Sequence, residues 1–310
     1  VTQNDKQLTA SFSGAAFLMG NILCWAAVPV LLRYLTHAMD AWTANGVRYP
    51  LAAVFFVPIL ISAWRSGELT GRMLARCIVP ALLGCGGQIL WGLSPYYLPA
   101  GTIGFLLRAS LLFSLAGAMF LFPDERRLLR HGAFYIGLIL SIVGFVVLSL
   151  SKMQTDREVT LAGILIAAGC SLFYGLYGVS VRYYLQGMNP LISSGAVSVF
   201  VSIGMAVLML FVGEYAVLVD VSLGDWGLIV LSSITGITLG HYFLYAAVPR
   251  LGAAVTSAAQ TLTPFATLVL AVWFLGESLT RLEWSAGLMM VAGAAILLWA
   301  QYRLVTAIQK

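Results

Sequence analysis

Apolar residues in this chain gather into ten long runs, and polar residues are confined to the gaps between them. A hydrocarbon core of about 30 Å needs about 20 such residues per helix. The pattern predicts helices at 13–33, 42–63, 77–97, 101–122, 133–150, 162–183, 190–212, 226–247, 253–275 and 284–302. Strands fit poorly, because the runs do not alternate with period two and are about twice the length of a barrel strand. The first run, Ala15 to Leu32, is longer than a signal-peptide core and is followed by similar runs, so it reads as a retained helix. The fold class is therefore an all-α integral membrane protein with ten transmembrane helices.

The runs fall into two sets of five, and the second set echoes the first. With one constant offset, Gly20 falls on Gly169, Leu23 on Leu172, Trp25 on Tyr174, Arg33 on Arg182 and Tyr34 on Tyr183. Further on, Gly86 and Trp91 fall on Gly236 and His241, and Glu125 falls on Glu277. Leu and Ala matches arise freely by chance in apolar sequence; Arg-Tyr and Glu matches at helix ends do not. Five is odd, so the second half enters the bilayer from the opposite side. Two inverted five-helix repeats around a central cavity are the usual build of a secondary transporter. The boundary is expected in the polar loop Ser151–Thr160, giving repeats at 1–152 and 153–310.

Composition adds little beyond this. The chain is 60% hydrophobic and 9% charged, against roughly 25% charged in a soluble domain, which leaves no room for a soluble catalytic domain. The net charge of +5 sorts by side rather than marking a nucleic-acid surface. One set of alternate loops and tails holds eleven Lys and Arg (Lys6, Arg65, Arg72, Arg76, Arg126, Arg127, Arg130, Arg182, Arg250, Arg303 and Lys310). The other holds four: Arg33, Lys152, Arg157 and Arg281. Positive charge stays inside, so both termini are expected in the cytoplasm of a multi-pass protein of a bacterial inner membrane. Cys24, Cys77, Cys85 and Cys170 are scattered singly and read as packing residues, with no metal or other cofactor implied.

The stretch Pro249-Arg-Leu-Gly-Ala-Ala-Val through Thr263-Pro264-Phe, then Phe274-Leu-Gly-Glu277-Ser-Leu-Thr and Gly287…Gly293, resembles the closing signature of EamA-type carriers of the drug/metabolite transporter superfamily. Arg48 resembles the family's usual helix-two arginine. The resemblance spans nearly the whole chain. It implies ten helices, cytoplasmic termini, and export or exchange of small metabolites, amino acids prominent among them. Where the family often has Pro in helix four this chain has Leu112, with Arg108 one turn earlier.

Intramembrane polar groups are costly and so mark function. No Asp or Glu lies deep in any of the ten runs, since Glu214, Glu277 and Glu283 all sit at ends. This argues against a carboxylate proton relay and against an enzyme, as does the lack of Gly-x-Ser-x-Gly, His-Glu-x-x-His or Walker A sequences. Gly84-Cys-Gly86-Gly87 follows no strand and reads as close helix packing. Arg108 lies roughly 10 Å into helix four at 1.5 Å per residue. It either clamps a carboxylate or phosphate in a guanidinium fork, snorkels to headgroups, or caps carbonyls of a neighbouring helix.

Through the repeat Arg108 corresponds to Gln260, which shares a helix face with Thr256 and Thr263. His241 and Tyr245 share a face of helix eight, and Gln88 and Trp91 one of helix three. With Asn21, Trp25, Tyr174 and Tyr177 these describe a substrate pocket with aromatic walls and a few hydrogen-bonding groups. Such a pocket suits a small amphipathic solute, an aromatic or apolar amino acid or similar carboxylate. The alternative solute is phosphorylated or lipid-linked. His241 either hydrogen-bonds as a neutral ring or couples transport to protons, and a homodimer is compatible with the sequence.

Overall fold

The computed structural model describes residues 3–156, 159–251, 256 and 259–308; side chains are described for these except 3–12, 124, 245, 248, 249 and 301–308. Seven helices are continuous: α1 (Gln3–Leu35), α2 (Ala41–Arg65), α3 (Gly71–Tyr97), α5 (Gly132–Thr155), α6 (Leu161–Tyr184), α7 (Pro190–Val212) and α10 (Arg281–Ile308). Helix α4 runs Ala100–Leu106, tightens to a 3₁₀ turn at Leu107–Ala109 and resumes as Ser110–Leu121. Helix α8 runs Leu223–Ser233, widens to a π segment at Ile234–Leu239 and continues as Gly240–Leu251. Helix α9 is described over Thr263–Leu275. Nine of these helices are long and apolar enough to span a membrane, and α9 is a shorter apolar helix among the described residues. The protein is an all-α membrane protein, as the ten apolar runs predict.

The starts of several of these helices are set by side chains that satisfy free N–H groups of the first turn. Asp40 accepts from the backbone of Trp42 at 2.8 Å and Thr43 at 3.0 Å. Burial alone would raise its carboxyl pKa, but the Thr43 hydroxyl and the backbone N–H groups of Thr43, Glu214 and Trp42 bring it below the usual value. Thr70 caps α3, which begins at Gly71, six residues before the start predicted at 77, because polar Arg72 and Arg76 conceal the first turns from an apolar reading. Thr280 and Glu283 form a reciprocal capping box on α10: Thr280 N–H donates to Glu283 at 2.8 Å and Glu283 N–H to Thr280 at 3.3 Å.

Packing follows the repeat. The most extensive pairings are α5 with α10, α2 with α7, α3 with α6, α1 with α8, α4 with α6 and α1 with α9. Exchanging the halves (1 with 6, 2 with 7, and so on) maps this set onto itself. Every one of these pairings joins helices of different halves, so the repeats interdigitate. The α5–α10 contact is a close one: a Cβ on Gly144 would stand 2.7 Å from the Ala286 carbonyl oxygen. Small residues permit such backbone approach where lipid removes the hydrophobic drive for helix association. Gly144→Leu should therefore separate this pair and lower the thermal midpoint in detergent by several degrees. An unchanged midpoint would show that the contact adds nothing.

Candidate functional site

A cavity of about 320 Å³ lies between the halves, walled by α1, α2, α3, α4, α6, α7, α8 and α9. It would hold on the order of ten waters at about 30 Å³ each. Seven of the ten residues singled out by sequence meet there. Trp25, Gln88, Trp91 and Arg108 come from the first half, and Tyr174, Tyr177 and His241 from the second. Trp25 and His241 meet edge-on with ring centroids 5.5 Å apart, and Trp91 and Tyr174 lie 6.5 Å apart and tilted. Asn21 and Gln260 are not on the cavity wall; they join the halves behind it. The side chain of Tyr245 lies outside the described residues.

The irregular segments of three helices set this wall. Pro264 has no N–H, so the carbonyl four residues earlier, Gln260, lacks its helical donor. Arg108 Nη1 supplies one at 3.0 Å. That is the carbonyl-capping role foreseen for Arg108, and it leaves the guanidinium only partly used: Arg108 Nε is buried with no hydrogen-bond partner. Arg108 sits in the 3₁₀ turn of α4, whose change of pitch frees the Leu106 carbonyl to accept from Ser171 Oγ at 3.2 Å. Gln260 Nε2 in turn donates to Asn21 Oδ1 at 2.9 Å, and Asn21 Nδ2 donates to the Gly240 carbonyl at 2.8 Å. A chain of bonds thus crosses from α4 to α9, α1 and α8, passing between halves at every step.

The π segment of α8 serves the same wall. Its wider turn presents carbonyls sideways: Gly236 accepts from Trp25 Nε1 at 3.2 Å, and Ile237 is met by His241 Nδ1 at 2.8 Å. A carbonyl partner requires the proton on Nδ1, so a neutral His241 keeps an acceptor lone pair on Nε2. Such π turns recur at functional sites. Arg48, the helix-two arginine of the sequence resemblance, is 1% exposed. Its Nε donates to Ser232 Oγ at 2.8 Å, Nη2 to the Ser232 carbonyl at 3.2 Å and Nη1 to Asn45 Oδ1 at 2.9 Å.

Sequence reasoning did not assign Arg48, Tyr49, Ser110, Ser198, Thr263 or Thr267 to the cavity wall, where all six lie. Tyr49 and Ser198 come from α2 and α7; Ser198 lies in a stripe with Ser194 and Ser202 at four-residue spacing, but one helix alone does not say which neighbour that stripe faces. Thr263 was on the right face of α9, beside Gln260, and was a recoverable signal. Its hydroxyl oxygen is buried without a partner.

Similarity to known proteins agrees with this architecture. The sequence model of the EamA-like transporter family matches the chain twice, over residues 12–150 and 161–299. An uncharacterized transporter of Haemophilus influenzae is 22% identical over 279 residues, covering 86% of this chain and 91% of that protein. A solved structure titled only "Crystal structure of protein" superposes with a TM-score of 0.61 at 17% identity, covering 93% of this chain and 97% of the other. At that identity the superposition speaks for the fold alone.

Proposed function

Because the chain belongs to the EamA-like transporter family and is a multi-pass membrane transporter, we propose that it moves a small carboxylate-bearing metabolite by alternating access, exporting or exchanging it. The observation that carries this reading is the cavity itself, enclosed by helices of both inverted halves. A solute there touches both halves, and rocking one against the other would expose it to either side. The 3₁₀ turn of α4 and the π turn of α8 lie in its wall and provide places for helices to flex.

The solute in this reading has an aromatic or apolar body, as in the corresponding amino acids or similar carboxylates. Trp25, Trp91, Tyr174 and Tyr177 enclose the body, and Arg108 takes the carboxylate. His241 acts as a neutral acceptor. The membrane is a bacterial inner membrane, with both termini in the cytoplasm. Arg48, a second guanidinium on the wall, favours one other solute class, a phosphorylated or lipid-linked compound.

Purified protein in liposomes should take up labelled aromatic or branched-chain amino acids, or the matching carboxylates, faster than protein-free vesicles. Uptake of a sugar phosphate with none of these moving would transfer the assignment to the second class. Movement of nothing in a broad panel would defeat both.

A further inference from the structure

The charged side chains on the cavity wall are all of one sign. Arg48 and Arg108 line it, and neither Asp nor Glu is among the lining residues. The partners of Arg48 are a hydroxyl, an amide oxygen and a carbonyl, and that of Arg108 is a carbonyl, all neutral. Two ion pairs among the described residues lie elsewhere, Arg182 with Glu125 at 2.6 Å and Lys152 with Glu283 at 3.4 Å, each near helix ends. Among the described residues neither cation has a counter-ion, an arrangement that is costly within the bilayer until an anion arrives.

Two further features point the same way. Arg108 Nε and Thr263 Oγ1 are buried polar atoms without partners, on residues that share the cavity wall. Thr263 is 6% exposed and opens the 13-residue segment of α9, where the positive end of the helix dipole favours negative charge. A carboxylate beside Arg108 and Thr263 would satisfy both donors and offset the guanidinium charge. The ammonium of an amino acid would enter the same space with no acidic partner, against two like charges. Like-charge placement of this kind is a strong source of discrimination.

We propose that the cavity is built for an organic anion lacking a free ammonium, a carboxylate on an aromatic or branched apolar body, and that the matching amino acid is the poorer ligand. This rests on the reading of the cavity as the solute site and narrows its substrate class.

The test is calorimetric titration of the purified full chain with two matched series. The first is 3-phenylpropanoate, phenylalanine and 2-phenylethylamine; the second is 4-methylpentanoate, leucine and 3-methylbutylamine. Each carboxylate should bind at least about tenfold more tightly than its amino acid, and the amines should not bind. In Arg108→Gln the ratio of carboxylate to amino acid should shrink to within about twofold, with the thermal midpoint showing that the variant is folded. Thr263→Val, which removes the hydroxyl and keeps the shape, should weaken the carboxylate and leave the amino acid less affected. Equal or tighter binding of the amino acids would overturn the charge preference and leave the transport assignment standing. No binding in either series would bring down the solute reading of the cavity, and this inference with it.

Discussion

Arg108→Gln is expected to slow transport of a carboxylate solute by about a hundredfold, while the neutral amide of the same solute changes by less than about threefold. Losing one partner of a desolvated charge pair costs about 2–5 kcal/mol, and a hundredfold corresponds to about 2.7 kcal/mol, near the lower end of that range. The variant also removes the Nη1 donor at 3.0 Å from the Gln260 carbonyl. That carbonyl has no helical substitute, since Pro264 follows four residues later, so a stability loss of about 1–3 kcal/mol should accompany the change. The two effects separate experimentally. A purely structural Arg108 would lower carboxylate and amide transport alike, in proportion to the folded fraction. A solute-binding Arg108 splits them, and initial rates in liposomes normalised to folded protein read the difference directly.

The sequence made the fold legible because the bilayer imposes one rule on every residue of a span. An apolar run long enough to cross must be helical, and an odd number of runs per repeat inverts the second half. Helix ends were less legible where charge or capping chemistry extends a helix beyond its apolar stretch. Arg72 and Arg76 hid the start of α3, and the Thr280–Glu283 capping box places the start of α10 at Arg281 rather than 284. The cavity was partly legible. Trp25, Trp91, Tyr174, Tyr177 and His241 stand out as aromatic or titratable groups far from the interfaces, and Arg108 as a deep cation. Asn21 and Gln260 look the same in sequence but join the two halves, because a polar stripe satisfies its bonds equally well in a seam or in a cavity. Tyr49 and Ser198 were hidden for the opposite reason: nothing in one helix discloses which neighbour it meets. The π turn has no local signature at all. It is held by bonds from Trp25 and Asn21, more than 200 positions away in the chain.

Glu277→Ala should release the seam at its end of the molecule and increase thiol labelling of the cavity from that face by about a hundredfold. Helix α4 begins at Ala100 after Pro99, which gives no side-chain cap. Its free N–H groups are taken by a residue of the other half: Ala100 N–H donates to Glu277 Oε1 at 2.6 Å and Gly101 N–H to Oε2 at 2.9 Å. The turn at Gly276, with φ of 67°, brings the carboxylate round directly after α9 ends. A carboxylate at a helix N-terminus gains from the dipole as well as from the two bonds. Each charge-assisted bond contributes about 1.5–3 kcal/mol, so losing both outweighs the roughly 2.7 kcal/mol that shifts a two-state equilibrium a hundredfold. Its repeat mate Glu125 joins the halves at the opposite end through Arg182 at 2.6 Å, with Oε2 left unpartnered. Removing that carboxylate should act in the opposite sense. Both variants can be read on a Ser110→Cys reporter on the cavity wall, in a background without native cysteines, using an impermeant maleimide added to one face at a time. Equal labelling in Glu277→Ala and its parent would mean that the carboxylate merely caps α4 and that the halves separate elsewhere.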